Sequence, residues 1–181
     1  MKIEPLPLEG AAVVTPAFLE DARGYFARTF DRDTFTAAGM ECSFPQWSIS
    51  HNRKRGTVRG MHFQARPWEE TKLVSCVRGA VHDVLLDLRP GSATYEKWTA
   101  VELRGATPAL VYIPAGVAHG FQTLDDDTLV MYHISELFHP EAARGVCWDD
   151  ASFDIRWPLE VSCISEKDRS FAAWASRPER T

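Results

Sequence analysis

Two short segments of this 181-residue chain carry histidines in settings suited to chemistry. One runs Gly56-Thr-Val-Arg-Gly-Met-His62-Phe-Gln64, the other Pro114-Ala-Gly116-Val-Ala-His119-Gly-Phe-Gln122. An imidazole titrates near pH 6.5, so it can take up and release protons at working pH. The flanking glycines permit tight turns and close backbone approach to a ligand. A single buried histidine is most often a core side chain. Two in matching settings point towards a site.

The elements that must position them read mostly as strands. Lys72–Val77 and Ala80–Leu88 flank Arg78-Gly79 and predict a pair around a two-residue turn. In the second of these, Val84, Leu86 and Leu88 share one face while Asp83, Leu85 and Asp87 share the other, which carries two carboxylates. Trp98–Leu103, Leu110–Ile113 and Leu129–Ile134 predict further strands, with turns at 89–92, 104–105, 114–116 and 125–127. Helices are few: Asp31–Ala38, stopped by Gly39, and a second from Ser165 through Trp174. The basic run Arg53-Lys-Arg55 reads as a solvated hairpin tip. Many short strands at close spacing predict a mainly β sandwich or barrel.

Composition narrows the function classes. Apolar residues make up 45% and charged residues 25%, as in a globular protein. The net charge is −5 and the pI about 5.7, a poor basis for binding nucleic acid or an anionic membrane. No apolar run approaches the ~18 residues of a membrane helix, and the N-terminus has no secretory h-region. The four cysteines are far apart with no C-x-x-C pair, which predicts reduced thiols in a cytoplasmic setting. No linker or repeat divides the chain. One domain over residues 1–181 is expected, with N-terminal strands to about 30, a barrel core from about 45 to 135 and a C-terminal strand and helix region over 145–181.

Gly-x5-His at Gly56–His62 followed by Pro-x-Gly-x-x-His at Pro114–His119 resembles the two halves of the cupin pattern, implying a jelly-roll β-barrel. Metal cupins continue the first half as His-x-His with a carboxylate close by. Here the partner is Gln64, a weak ligand beside imidazole, with Glu69 or Glu70 as the carboxylate. That favours a metal-free use of the histidines and no cofactor. A metal-dependent cupin using His62, Gln64 and His119, or a non-catalytic sugar-nucleotide-binding cupin, stands as the alternative.

A longer ordered set is more specific: Arg23-Gly-Tyr-Phe26, Arg59-Gly-Met-His-Phe-Gln64, Lys72-Leu-Val74, Asp83–Arg89, Ser92-Ala-Thr94, Ile113–Phe121, Tyr132, Trp148-Asp-Asp150, Trp157-Pro158 and Ser165-Glu-Lys-Asp168. Together they resemble the dTDP-4-dehydrorhamnose 3,5-epimerase family of nucleotide-sugar epimerases, from about Arg23 to Asp168.

The resemblance implies inversion at carbons flanking the C4 ketone of a dTDP-4-keto-6-deoxyhexose. His62 is then the base and Asp168 its orienting partner, although Ser165-x-x-Asp168 also reads as a helix capping box. Tyr132 is the acid on the opposite ring face, and Lys72 stabilises the enolate oxygen. His119 contacts substrate near that oxygen. Arg23 and Arg59 face the diphosphate, Phe26, Gln46 and Ser48 the nucleotide, and Lys167 the substrate side. Departures fall on the nucleotide side: Arg28 replaces a family glutamate, Ser48 an asparagine, Ala143 an acid and Leu137 an aromatic. The first expectation is dTDP, with GDP or another base as the alternative, and action at C3 alone as a variant of the reaction. A homodimer with an N-terminal segment reaching the partner's site is also implied.

Overall fold

A computed structural model describes residues 1–174; the last part of the expected C-terminal region, 175–181, lies outside the described residues. Two antiparallel sheets face each other. The first is ordered β1 (Lys2–Pro5), β2 (Ala12–Thr15), β10 (Leu110–Ile113), β7 (Lys72–Arg78), β12 (Thr128–Ile134), β5 (Gln46–Asn52). The second is ordered β13 (Ala143–Gly145), β6 (Val58–Gln64), β11 (Val117–Thr123), β8 (Ala80–Asp87), β9 (Trp98–Arg104). A separate hairpin pairs β3 (Phe18–Asp21) with β4 (Gly24–Ala27). This is the mainly β, cupin-like jelly roll, with two short helices among the described residues, α1 (Arg32–Ala37) and α2 (Glu166–Arg169).

Period-two alternation divides each central strand between two environments. Val74, Cys76, Val111, Ile113 and Val130 of the first sheet meet Val81, Leu85, Leu103, Val117 and Phe121 of the second in the barrel interior. The opposite faces are covered from outside. Phe35 of α1 packs on Leu73, Leu110 and Tyr112. Phe153, Ile155 and Trp174 pack with Met61, Val84 and Leu86. Asp31 caps α1 by accepting the Thr34 N–H, and Gly39 follows at φ +69°.

Three sequence expectations change. The strands flanking Arg78-Gly79 exist but do not pair: β7 bonds to β10 and β12, β8 to β9 and β11. Gly79, at φ +77°, turns the chain from one sheet into the other, and a Cβ there would lie 2.5 Å from Thr128 Oγ1. Arg53-Lys-Arg55 likewise links β5 and β6 of different sheets rather than capping a hairpin; the Arg55 N–H donates to Asp126 Oδ1 and its Nε to the Leu124 carbonyl. The second helix ends at Arg169. Beyond it Phe171 seats on Gly145, and Trp174 is held by Asp150 and Glu96, so tertiary contacts override helix propensity.

Candidate active site

At one end of the barrel the interior opens into a pocket of about 270 Å³. Strand alternation fills it with polar side chains where deeper positions are apolar. Ser48 and Ser50 come from β5, Lys72 from β7, His119 from β11 and Tyr132 from β12. Tyr132 lies opposite Ser48 across the β12–β5 ladder.

Arg59 and His62 also line this pocket. They are three residues apart on β6, which strict alternation would place on opposite faces. A register shift resolves the conflict: His119 pairs with His62, but Phe121 pairs with Arg59. Gly60 sits in that irregularity at φ +129°, and a Cβ there would meet Gly120 Cα at 2.5 Å. Two facing glycines are therefore what lets one strand deliver both side chains to the interior.

The irregularity also anchors the carboxylate that holds His62. The Gly60 N–H donates to Asp168 Oδ2 at 3.3 Å, and Asp168 Oδ1 lies 2.8 Å from His62 Nε2. Ser165 caps α2 by accepting the Asp168 N–H, so the capping position and the histidine contact coexist on one residue. Burial alone pushes the Asp168 carboxyl up. The His62 ring, the Gly60 N–H and the Ser165 hydroxyl outweigh it and hold the carboxyl below its ordinary value. With Nε2 committed to Asp168, the other ring nitrogen of His62 is Nδ1.

A second histidine–carboxylate pair lies across the ladder: His119 Nε2 is 2.8 Å from Asp83 Oδ2, both side chains buried. Tyr132 stands edge-on to His119, ring centroids 6.1 Å apart. Burial, reinforced by the Asp83 charge, pushes the Tyr132 phenol far above its usual value; Arg59 and the Ser50 hydroxyl only partly offset this. The phenol stays protonated at any working pH. Lys72 Nζ donates to Glu70 Oε1 at 2.9 Å and to the His62 carbonyl at 3.3 Å. Arg59 Nε donates to Asn52 Oδ1 at 2.7 Å.

The structure thus brings together His62, Tyr132, Asp168, Lys72, His119, Arg59 and Ser48. It does not bring Arg23 or Phe26 there: both lie on the β3–β4 hairpin, where Arg23 pairs with Asp21 and is 89% exposed, and Phe26 lines a different cleft with Leu19 and Arg28. Gln46 lies on the same strand face as Ser48 but outside the pocket lining, and Lys167 is exposed on α2. The sequence marked neither Ser50 nor Asn52; it offered Glu70 only as a metal-cupin carboxylate and Asp83 only as part of a two-carboxylate strand face, without their partners Lys72 and His119. His119 lies 36 residues from Asp83 along the chain. The donors required by the metal reading are committed elsewhere. Gln64 donates to the Trp68 and Leu137 carbonyls and accepts from the His139 N–H. Glu69 pairs with Arg66 and Glu70 with Lys72. Among the described residues no group of three His, Cys, Asp or Glu is placed to hold a metal ion.

A cupin-type barrel whose polar pocket holds a His–Asp pair, a phenol and a buried ammonium has the groups that an enzyme working by proton transfer would use. Comparison with known proteins narrows this. The sequence model of dTDP-4-dehydrorhamnose 3,5-epimerase matches residues 5–176. A dTDP-4-dehydrorhamnose 3,5-epimerase of Methanothermobacter thermautotrophicus is 42% identical over 174 residues, covering 94% of this chain and 93% of that protein. The crystal structure of such an epimerase from Bacillus anthracis, with TDP and PPi bound, superposes with a TM-score of 0.92 at 34% identity, covering 95% of this chain and 98% of that one. A 3′-monoepimerase from Streptomyces bikiniensis in complex with dTDP-quinovose gives a TM-score of 0.88 at 31% identity, covering 95% and 87%. The chain belongs to the dTDP-4-dehydrorhamnose 3,5-epimerase family.

Proposed function

We propose that this protein epimerises dTDP-4-keto-6-deoxyglucose at C3 and C5, giving dTDP-4-dehydrorhamnose. The observation that carries this reading is the His62–Asp168 contact on a pocket that also holds Tyr132 and Lys72. The C4 ketone acidifies the adjacent C–H bonds. His62 Nδ1 takes the proton, and the electron pair moves onto the C4 oxygen. Asp168 stabilises the imidazolium by a charge-assisted hydrogen bond. An N–H of Lys72 and His119 face the developing oxyanion. Tyr132 returns a proton to the opposite face of the carbon, and solvent resets both groups. Arg59, with Nε held by Asn52 and Nη2 reaching the His51 carbonyl, offers its remaining N–H donors to the diphosphate.

The working unit in this reading is a cytoplasmic homodimer. Trp47 and Ile49 lie 69% and 58% exposed on the outward face of edge strand β5, an apolar surface suited to a second copy. The projecting β3–β4 hairpin would then carry Arg23 and Phe26 to the partner's pocket. The test is NMR of the purified protein with dTDP-4-keto-6-deoxyglucose. Inversion at both carbons supports the proposal, inversion at C3 alone restricts it to a 3-epimerase, and unchanged substrate overturns it.

A further inference from the structure

Among the described residues, Glu70 is one of three with a buried side-chain polar atom that lacks a hydrogen-bond partner, with His82 and Asp83. Its side chain is 7% exposed, Oε1 bonds to Lys72, and Oε2 is buried with no hydrogen-bond partner. A carboxylate left half-satisfied in a buried place is costly, and an apolar residue would serve packing better. Its single contact therefore needs an explanation other than stability. Lys72 supplies one. An ammonium carries three N–H donors on a flexible four-carbon stem. Glu70 Oε1 and the His62 carbonyl take two of them. The third remains for the pocket that Lys72 lines. Glu70 itself does not line that pocket, so it acts on substrate only through the lysine.

Resting on the role of Lys72 given above, we propose that Glu70 is a positioning residue: it pins the Lys72 ammonium so that its remaining N–H meets the C4 oxygen as negative charge develops there. Its effect then falls on the transition state, not on substrate binding. Without it the lysine retains its charge but samples other rotamers, and misplacement of a catalytic group by about 1 Å can cost on the order of 10²-fold in rate.

The test combines Glu70→Ala, Glu70→Gln and Lys72→Met, with kcat and KM measured for the dTDP-4-keto sugar and dTDP affinity measured separately. Glu70→Ala is expected to lower kcat by about 10- to 100-fold with KM and dTDP affinity within about twofold. Glu70→Gln keeps the volume and an acceptor oxygen, so it guards against a folding defect and should recover part of the loss. Adding Glu70→Gln to Lys72→Met should cost nothing further, because the residue it positions is gone. A wild-type kcat in Glu70→Ala, or full additivity with Lys72→Met, overturns the positioning role while leaving the epimerase reading intact. Wild-type kcat in Lys72→Met itself overturns the assigned role of the lysine and the proposal with it.

Discussion

Asp168→Asn isolates what the carboxylate does for the base. The asparagine oxygen can still accept the Gly60 N–H, which leaves its NH₂ facing His62 Nε2 across 2.8 Å. Nε2 must then be the acceptor and Nδ1 carries the ring proton, so the nitrogen facing substrate can no longer act as base. Two effects combine. Losing a charge-assisted hydrogen bond to the imidazolium is worth about 1.5–3 kcal/mol, or about 10- to 150-fold in rate. The wrong tautomer adds to this; the corresponding change in the Ser-His-Asp triad lowers kcat about 10⁴-fold. A fall in kcat of about 10²- to 10⁴-fold is expected. Asp168 does not line the pocket, so KM should stay within about threefold. Steady-state kinetics with the 4-keto sugar, on a variant whose circular dichroism matches the parent, provides the assay. A kcat within threefold of wild type would refute the tautomer argument.

Other perturbations follow from the same geometry. Tyr132→Phe removes the acid while leaving the base, so hydrogen exchange with solvent should persist while the correct epimer is lost; NMR of the product pool reads both. Since burial holds the Tyr132 phenol up, no loss of activity below pH 10 should trace to its ionisation. In Gly145→Ala the new Cβ would meet the Phe171 ring at 2.1 Å. The displaced ring lies three residues beyond Asp168, so kcat should fall at least tenfold and recover in part when Phe171→Ala is added, as coupled neighbours do. Asp87 tests stability instead. Burial raises its carboxyl, but hydrogen bonds from Arg89, Ser92 and Thr94 prevail and set it at about 2 against 3.8. A depressed carboxylate stabilises the fold above pH 4 and loses that contribution as pH falls towards 2, an effect of about 2 kcal/mol at neutral pH. Asp87→Asn should therefore lower the urea midpoint at pH 7 and converge with wild type near pH 2; an equal gap at both would contradict it.

What could be read from the residues alone was the part set by local pattern. The alternation in 80–88 placed Val84 and Leu86 on one face and Asp83 and Leu85 on the other, as the packing has them. Asp31 and Gly39 bracketed α1 because caps are local chemistry. Tertiary pairing was not legible. A tight turn at Arg78-Gly79 looks the same whether it closes a hairpin or crosses between sheets. The shared orientation of Arg59 and His62 depends on a register shift against β11, which no periodicity in β6 announces. Asn52, Glu70 and Asp83 contact Arg59, Lys72 and His119, and the spacing that singled out Glu70 and Asp83 did not reveal these partners, which only the fold brings within reach. Arg23 and Phe26, assigned by resemblance, sit on a hairpin away from this chain's pocket.

In the proposed reaction the His62 imidazole removes the hydrogens beside the C4 ketone. Incubating wild type and His62→Asn with dTDP-4-keto-6-deoxyglucose in deuterated water tests it directly. Wild type should place deuterium at C3 and C5, and His62→Asn at neither. Deuterium entering at the wild-type rate in His62→Asn would show that another group is the base.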